Sequence, residues 1–399
     1  MEEHVPSVRA AVVAHARWEL ALENILARIG KHAPVDLIVL FASGAYADYF
    51  PAIIRTVRHE MGSPVLIGCS SYGVIGSGVE LEDVPALSLL ALSLPGASLH
   101  AARFTQEMLE QCPQPSQWRD YTKLPLDDIN AWLIFADPFR LDCEELIDEL
   151  AAAYPGVPML GGLASGDLSE QRTYVFLNDE VYGDGGVGLA IGGDYTLLPL
   201  VSQGCEPIGK PWIITDAHPD GLILAISNRP AYDVLLDTID ALTPGEQRRA
   251  WRNLLIGLAA NEYYETFTRG CFLIRTLLGV ERGTRGLVVS ATPRIGQTIQ
   301  FQVRDPAAAD LDFKEILRRV HNQLGEEHRP VAGVLCSCNG RGIGMFGVPS
   351  HDAKLIAREL GPLPLTGLFC NGEIGPVGKR PFLHGFTASL ALLMQRDNG

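Results

Sequence analysis

Short continuous apolar runs alternate with amphipathic stretches along this chain. Residues 7–30 place Val8, Val12, Leu20, Leu22, Ile25, Leu26 and Ile29 at helical spacing, with Gly30 at the end, which predicts an N-terminal helix over 1–30. The next segment, Val35-Asp36-Leu37-Ile38-Val39-Leu40-Phe41, is an apolar run broken only by Asp36. Such a run suits a strand buried on both faces, as in a parallel sheet. A helix over about 45–60, a break at Met61-Gly62-Ser63-Pro64 and a second strand at Val65-Leu66-Ile67 complete a βαβ pattern. It recurs at Trp132 to Phe135, Cys143 to Tyr154 and Val157 to Leu160, and again at Val331 to Leu335, His351 to Leu360 and Leu363 to Thr366.

The turn after each second strand repeats as well. Gly68-Cys69-Ser70-Ser71-Tyr72-Gly73-Val74-Ile75-Gly76 matches Gly367-Leu368-Phe369-Cys370-Asn371-Gly372-Glu373-Ile374-Gly375 at four of nine positions. The middle copy, Gly161 to Asp167, keeps the first and inner glycines and puts Asp167 where Glu373 falls. Three copies in one context point to internal duplication. Glycine turns at the carboxyl ends of strands are where open α/β sheets bind ligands. The pattern predicts an α/β protein of two related halves, built from repeated βαβ units with mixed sheets and meeting near residue 200.

Composition narrows the function. The net charge of −15 argues against nucleic acid and against an anionic membrane surface. The start of the chain has no apolar leader, and the longest apolar stretch, 85–99, is too broken to span a bilayer. A cytoplasmic protein is expected. The cysteines are scattered without zinc-ligand spacing, so no metal is expected. Gly183 to Gly188 formally matches a dinucleotide fingerprint, but apolar strand residues follow where a helix is required.

The turn Gly68 to Gly73, the segment Cys338-Asn339-Gly340-Arg341-Gly342, the His351-Asp352 helix, Gly372-Glu373-Ile374-Gly375-Pro376 and the closing strand Phe386 to Leu390 together resemble the FIST family, from about residue 25 to 395. The resemblance implies a FIST N-terminal domain over 31–200 and a FIST C-terminal domain over 201–399. It implies a sensory protein for a small molecule, with amino acids as one class, that signals through another protein in trans. It also brings in haem as an alternative cofactor, for which His218, His321, His351 and His384 are available. No F-box or kinase segment is expected in this length.

The residues themselves supply candidates for holding a small polar ligand. Glu373 suits a ligand amine and Arg341 a ligand carboxylate, although each also suits a structural ion pair. Ser70, Ser71, Tyr72, Gly73, Ser165, Asp167, Asn339 and Asn371 offer polar or close-approach positions around the turns. Cys69, Cys338 and Cys370 lie in or beside the motifs. They read as buried thiols, with an enzyme using Cys370 or Glu373 as the alternative; no catalytic residue is assigned. Farther along, 203–211 reads as a loop, 231–242 and 246–258 as helices, and 287–290 with 298–304 as a strand pair. Arg275, Arg282, Arg285 and Arg294 read as a solvated basic face.

Overall fold

The computed structural model describes residues 5–30, 35–112, 114–166, 171–325 and 328–396. The chain forms two compact units, one of residues 1–201, 314–383 and 387–399, the other of residues 202–313 and 384–386.

The first unit opens with β1 (Ser7–Ala14), α1 (Trp18–Ile29), β2 (Leu37–Ser43), α2 (Phe50–Met61), β3 (Val65–Ser71), β4 (Val74–Gly76), β5 (Val79–Leu81) and β6 (Ala86–Ser93). The plan then repeats as β7 (Ala97–Phe104), α3 (Gln106–Gln111), α4 (Pro115–Thr122), β8 (Ala131–Ala136), α5 (Cys143–Ala153), β9 (Met159–Leu163), β10 (Val175–Leu177), β11 (Glu180–Tyr182) and β12 (Gly186–Gly193). A third copy starts at β13 (Tyr195–Gln203). After it the chain builds the second unit from β14 (Cys205–His218), β15 (Leu222–Ile226), β16 (Arg229–Pro230), α6 (Ala231–Asp240), α7 (Pro244–Asn253), β17 (Leu254–Ala259), β18 (Phe272–Glu281), β19 (Gly286–Val289) and β20 (Thr298–Arg304). Then α8 (Pro306–Leu324) leads to β21 (Ala332–Cys338), α9 (Ile343–Phe346), α10 (His351–Leu360), β22 (Leu365–Cys370), β23 (Glu373–Val377), β24 (Arg380–His384) and β25 (Thr387–Gln395).

The predicted α/β class with mixed sheets is what forms, and the βαβ unit stands three times. Each copy lies in its own six-stranded sheet, in one common order: β1-β6-β2-β3-β10-β11, β7-β12-β8-β9-β23-β24 and β13-β25-β21-β22-β4-β5. The parallel pairs are β2–β3, β8–β9 and β21–β22. The last two strands of every sheet are a hairpin from another copy. The first copy's β4–β5 joins the third sheet, the second's β10–β11 joins the first, and the third's β23–β24 joins the second.

Alternation along the strands shows why their runs are wholly apolar. Leu37, Val39 and Phe41 join Leu133, Phe135, Cys336 and Leu368 in one shared core. Ile38, Leu40 and Ala42 face the other way, onto Ile25 of α1 and Ile53, Ile54 and Val57 of α2. In the second sheet, Trp132 and Ile134 likewise meet Leu146, Ile147 and Leu150 of α5. Both faces are dry, so neither admits a polar position.

The repeated first glycine has a shared cause. A Cβ on Gly68 would stand 1.8 Å from the carbonyl oxygen of Leu40, on Gly161 1.8 Å from that of Ile134, and on Gly367 2.3 Å from that of Leu335. Each is the neighbouring parallel strand. Close approach demands glycine at all three, and at Gly161 the backbone, at φ +145°, demands it as well.

Several expectations are corrected. Residues 7–14 are an edge strand paired antiparallel with β6 rather than the start of a helix: Val8, Ala10 and Val12 also fit a period of two, and pairing decides between the readings. Helix α7 ends at Asn253, and the apolar run after it is β17. Residues 205–211 are strand rather than loop. Their prolines and Gly209, at φ +64°, mark a bulge where β14 slips against β20 between Ile208 and Trp212. Strands β19 and β20 both form but do not pair with each other: β19 lies against β18 and β15, and β20 against β14 and β17. Because β14 pairs with both β20 and β15, the second unit closes into a ring of six antiparallel strands around Ile214, Ile256, Leu258, Ile299 and Phe301, with α6 contributing Val234 and Leu235. Of the four arginines read as a basic face, Arg285 is bound to Asp233.

Candidate functional site

The three turns converge inside the first unit and are stitched to one another in a cycle. The Ser165 amide of the second copy donates to the Ser70 carbonyl of the first at 3.1 Å, and the Asn371 amide of the third donates to the Leu163 carbonyl of the second at 3.1 Å. The link from first to third runs both through a side chain and directly between backbones. The Tyr72 amide donates to Ser165 Oγ at 2.8 Å, and that hydroxyl donates to the Phe369 carbonyl. The Phe369 amide returns a bond to the Gly73 carbonyl at 2.9 Å. Ser71 Oγ also donates to the Phe369 carbonyl, at 3.0 Å, and to that of Gly73. Ser70 Oγ donates to the Ser165 carbonyl at 2.8 Å and accepts from the Tyr174 amide at 2.9 Å. Ser70, Ser71 and Ser165 are all buried. The Tyr72 hydroxyl donates to Asp83.

Glu373 begins β23 beside this hub and has no exposed surface. One carboxylate oxygen accepts from the Thr387 amide at 3.0 Å and the Thr387 hydroxyl at 2.8 Å, and the other from the Cys370 thiol at 3.3 Å. Burial raises its pKa to about 7, against the lowering pull of these donors and of Arg341. The Cys370 and Cys336 thiols are pushed well up, by burial first and the Glu373 charge second; burial and Cys336 do the same to Cys69. A Cβ on Gly162 would stand 3.2 Å from the sulfurs of both Cys336 and Cys370. These cysteines are protonated packing groups beside a carboxyl, the state opposite to that of a nucleophilic thiolate.

Arg341 is buried and aims its fork at Asp352 of α10, Nε at 2.8 Å and Nη2 at 2.9 Å. Although burial opposes ionisation, Arg341 and His351 hold the Asp352 carboxyl below the usual range. Ser337 Oγ donates to the same carboxylate at 3.1 Å. His351 lies 3.0 Å from it and stacks on Phe346 with ring centroids 3.5 Å apart. Glu80, on the exchanged hairpin β4–β5, accepts from a first-turn amide of α10, that of Ala353, at 2.8 Å, and burial raises its pKa to about 7. Asp352 and Thr387 entered the sequence reading only within the family motifs, not as site candidates, and Glu80 and Ser337 not at all. Only Asp352 carried a signal, an acid in the first turn of a helix.

Around this buried ground runs a half-buried rim of Tyr72, Gly166, Cys338, Asn339 and Asn371. Asn371 Nδ2 donates to the Ala164 carbonyl at 3.0 Å, and Asn339 Nδ2 donates to Asn371 Oδ1 at 2.7 Å. Every predicted site residue thus falls in one neighbourhood except Asp167, which lies outside the described residues. Two surface depressions lie apart from it, one of about 310 Å³ bordered by Asp148, Tyr154, Lys379 and Arg380 and one of about 200 Å³ bordered by Glu206, Glu246, Arg249 and Asp305. Among the described residues no group of three His, Cys, Asp or Glu side chains is placed to hold a metal ion, and no helix is long and apolar enough to cross a membrane.

Comparison with known proteins gives these signatures a context. A family model described as the FIST N domain matches residues 36–229, and one described as the FIST C domain matches residues 231–376. An uncharacterized protein of Mycobacterium tuberculosis is 36% identical over 393 residues, 98% of this chain and 97% of its own length. An uncharacterized protein of Mycobacterium bovis is 34% identical, covering 98% of this chain and 96% of its own. Among solved structures, a cyanuric acid hydrolase from A. caulinodans aligns over 98% of this chain and 100% of its own, with 8% identity and a TM-score of 0.37, a likeness too low to carry an argument.

Proposed function

Because the chain belongs to the FIST family, whose domains are generally small-ligand sensory domains, we propose that it senses a small polar metabolite, an amino acid or close analogue, at the converging strand ends of its first unit. One observation carries the reading: a wholly buried carboxyl, Glu373, stands where three copies of the glycine turn meet. A carboxyl held near neutral pKa in a dry setting responds strongly to an arriving ammonium, because charge pairing there is weakly screened. Family-model residues on both sides of 230 contribute to the hub, so a ligand seated there contacts both matched domains.

Hub bonds join all three sheets, and each sheet is finished by another copy's hairpin. Ligand binding at the hub therefore biases three sheets together, and we assign the readout to a separate signalling protein in the cytoplasm that distinguishes the two states. The test is a thermal-melting titration of the full chain against the twenty amino acids. At least one is expected to raise the melting temperature, and Glu373→Leu to abolish that shift. Failure of all twenty, or a shift that survives in Glu373→Leu, overturns the proposal.

A further inference from the structure

One acceptor at the rim stands out. Among the described residues, Asn339 Oδ1 is sealed from solvent and has no hydrogen-bond partner. Its orientation follows from the chain. Asn371 must present Nδ2 to the Ala164 carbonyl at 3.0 Å, so its Oδ1 faces Asn339; Asn339 must answer with Nδ2, at 2.7 Å. Rotating either amide would set two oxygens, or two N–H groups, against each other. The Asn339 backbone is held too, its amide donating to the Cys370 carbonyl at 2.9 Å. A rigid relay from Ala164 through Asn371 thus fixes a carbonyl oxygen that accepts from no donor among the described residues. Buried polar atoms are nearly always satisfied, and one that is not points to a partner that comes and goes.

We infer that Asn339 Oδ1 is a specificity-determining acceptor that reads an N–H donor, an ammonium or amide, on the ligand. This rests on the function proposed above and narrows it. A carbonyl oxygen accepts only, so an approaching carboxylate is repelled. Nearby charge acts in the same sense: Glu373 is an acid, and the Arg341 guanidinium directs two of its nitrogens to Asp352. The ligand enters donor-first.

The experiment uses the full chain with two probes at matched ionic strength, glycinamide hydrochloride and sodium acetate. The readouts are melting temperature and the side-chain carbonyl carbon resonance of Asn339, identified by its loss in Asn339→Leu. Glycinamide is expected to move that resonance and raise the melting temperature, and acetate to do neither. Asn339→Leu should bind glycinamide roughly ten-fold more weakly, the scale of one lost hydrogen bond. Asn371→Leu, which frees the Asn339 amide to rotate, should weaken it less. Should Asn339→Leu fail to fold, the glycinamide and acetate melting temperatures of the unaltered protein and the Asn371→Leu arm still decide. No response to glycinamide, an equal response to acetate, or an unmoved Asn339 resonance overturns the inference. None of these touches the broader reading, which falls only if no amino acid gives a Glu373-dependent shift.

Discussion

Replacing Glu373 by glutamine removes a charge while keeping shape, and its effect on stability should depend on pH. The carboxyl has an ordinary pKa of 4.5 and about 7 in the folded chain, with burial as the main cause. The folded state then holds a proton that the unfolded state has released. Stability from this group is complete below about pH 4.5 and is lost as pH rises through about 7. The shift corresponds to about 3 kcal/mol, at about 1.4 kcal/mol per pH unit. Glutamine keeps an oxygen for the Thr387 amide and hydroxyl and presents an amide to Cys370, but has nothing to ionise. Glu373→Gln should therefore be close to the parent near pH 4.5 and more stable than it by up to about 3 kcal/mol near pH 8. Glu80 titrates in the same range, but it is common to both proteins and cancels in the difference. Urea unfolding measures that difference. Tryptophan fluorescence in a Trp212→Phe, Trp251→Phe background leaves Trp18, Trp118 and Trp132, all in the first unit, as reporters. A difference between variant and parent that stays level across this range refutes the assignment of Glu373 as a buried carboxyl ionising near neutrality.

Other expectations follow from the same geometry. Ser165→Ala removes the buried hydroxyl that bridges the Tyr72 amide and the Phe369 carbonyl, and should cost about 2 kcal/mol in urea unfolding. Asp352→Asn leaves the Arg341 guanidinium buried without its counter-charge and should cost about 3–5 kcal/mol by the same measurement. An aromatic disulfide reagent should modify half-buried Cys112, Cys271 and Cys338 in the native protein, and reach buried Cys69, Cys336 and Cys370 only after unfolding; peptide mass spectrometry reads the order.

The parts of this fold that were legible in the sequence are those that local spacing encodes. The run from Leu37 to Phe41 is apolar at every position because its two faces enter two different cores, and no solvated strand would read that way. The glycines at 68, 161 and 367 were visible as a repeat, but their reason was not, since the carbonyls that crowd them belong to strands about thirty residues upstream. The site was legible as a neighbourhood, but its pairings were not. Arg341 and Glu373 read either as arms for a ligand carboxylate and amine or as structural ion pairs; the guanidinium's Nε and Nη2 go to Asp352 and the carboxylate receives Thr387. Those partners lie 11 and 14 residues away, too far for any helical or strand period to connect. Ser165 looked like one of several turn hydroxyls, and only the fold shows that it touches all three copies, accepting from the Tyr72 amide of the first and donating to the Phe369 carbonyl of the third.

The exchange of hairpins explains why duplication here yields one cooperative unit rather than three tandem modules. A copy on its own would leave β3, β9 or β22 as an open sheet edge, with backbone amides and carbonyls unpaired. Each edge is closed by β10, β23 or β4 respectively, always from a different copy. The hairpin that closes the third sheet also brings Glu80 to the start of α10 and Glu82 to the start of α9, where it accepts from the Ile343 amide at 3.0 Å. The turns that launch these hairpins are the same turns that form the hub. A displacement at the hub therefore cannot stay within one sheet, because the strand that follows each turn is the edge of a neighbour. That linkage gives a small molecule seated among Glu373, Asn339 and Tyr72 mechanical access to every sheet of the unit, which a sensory protein needs and a tandem array of independent copies would lack.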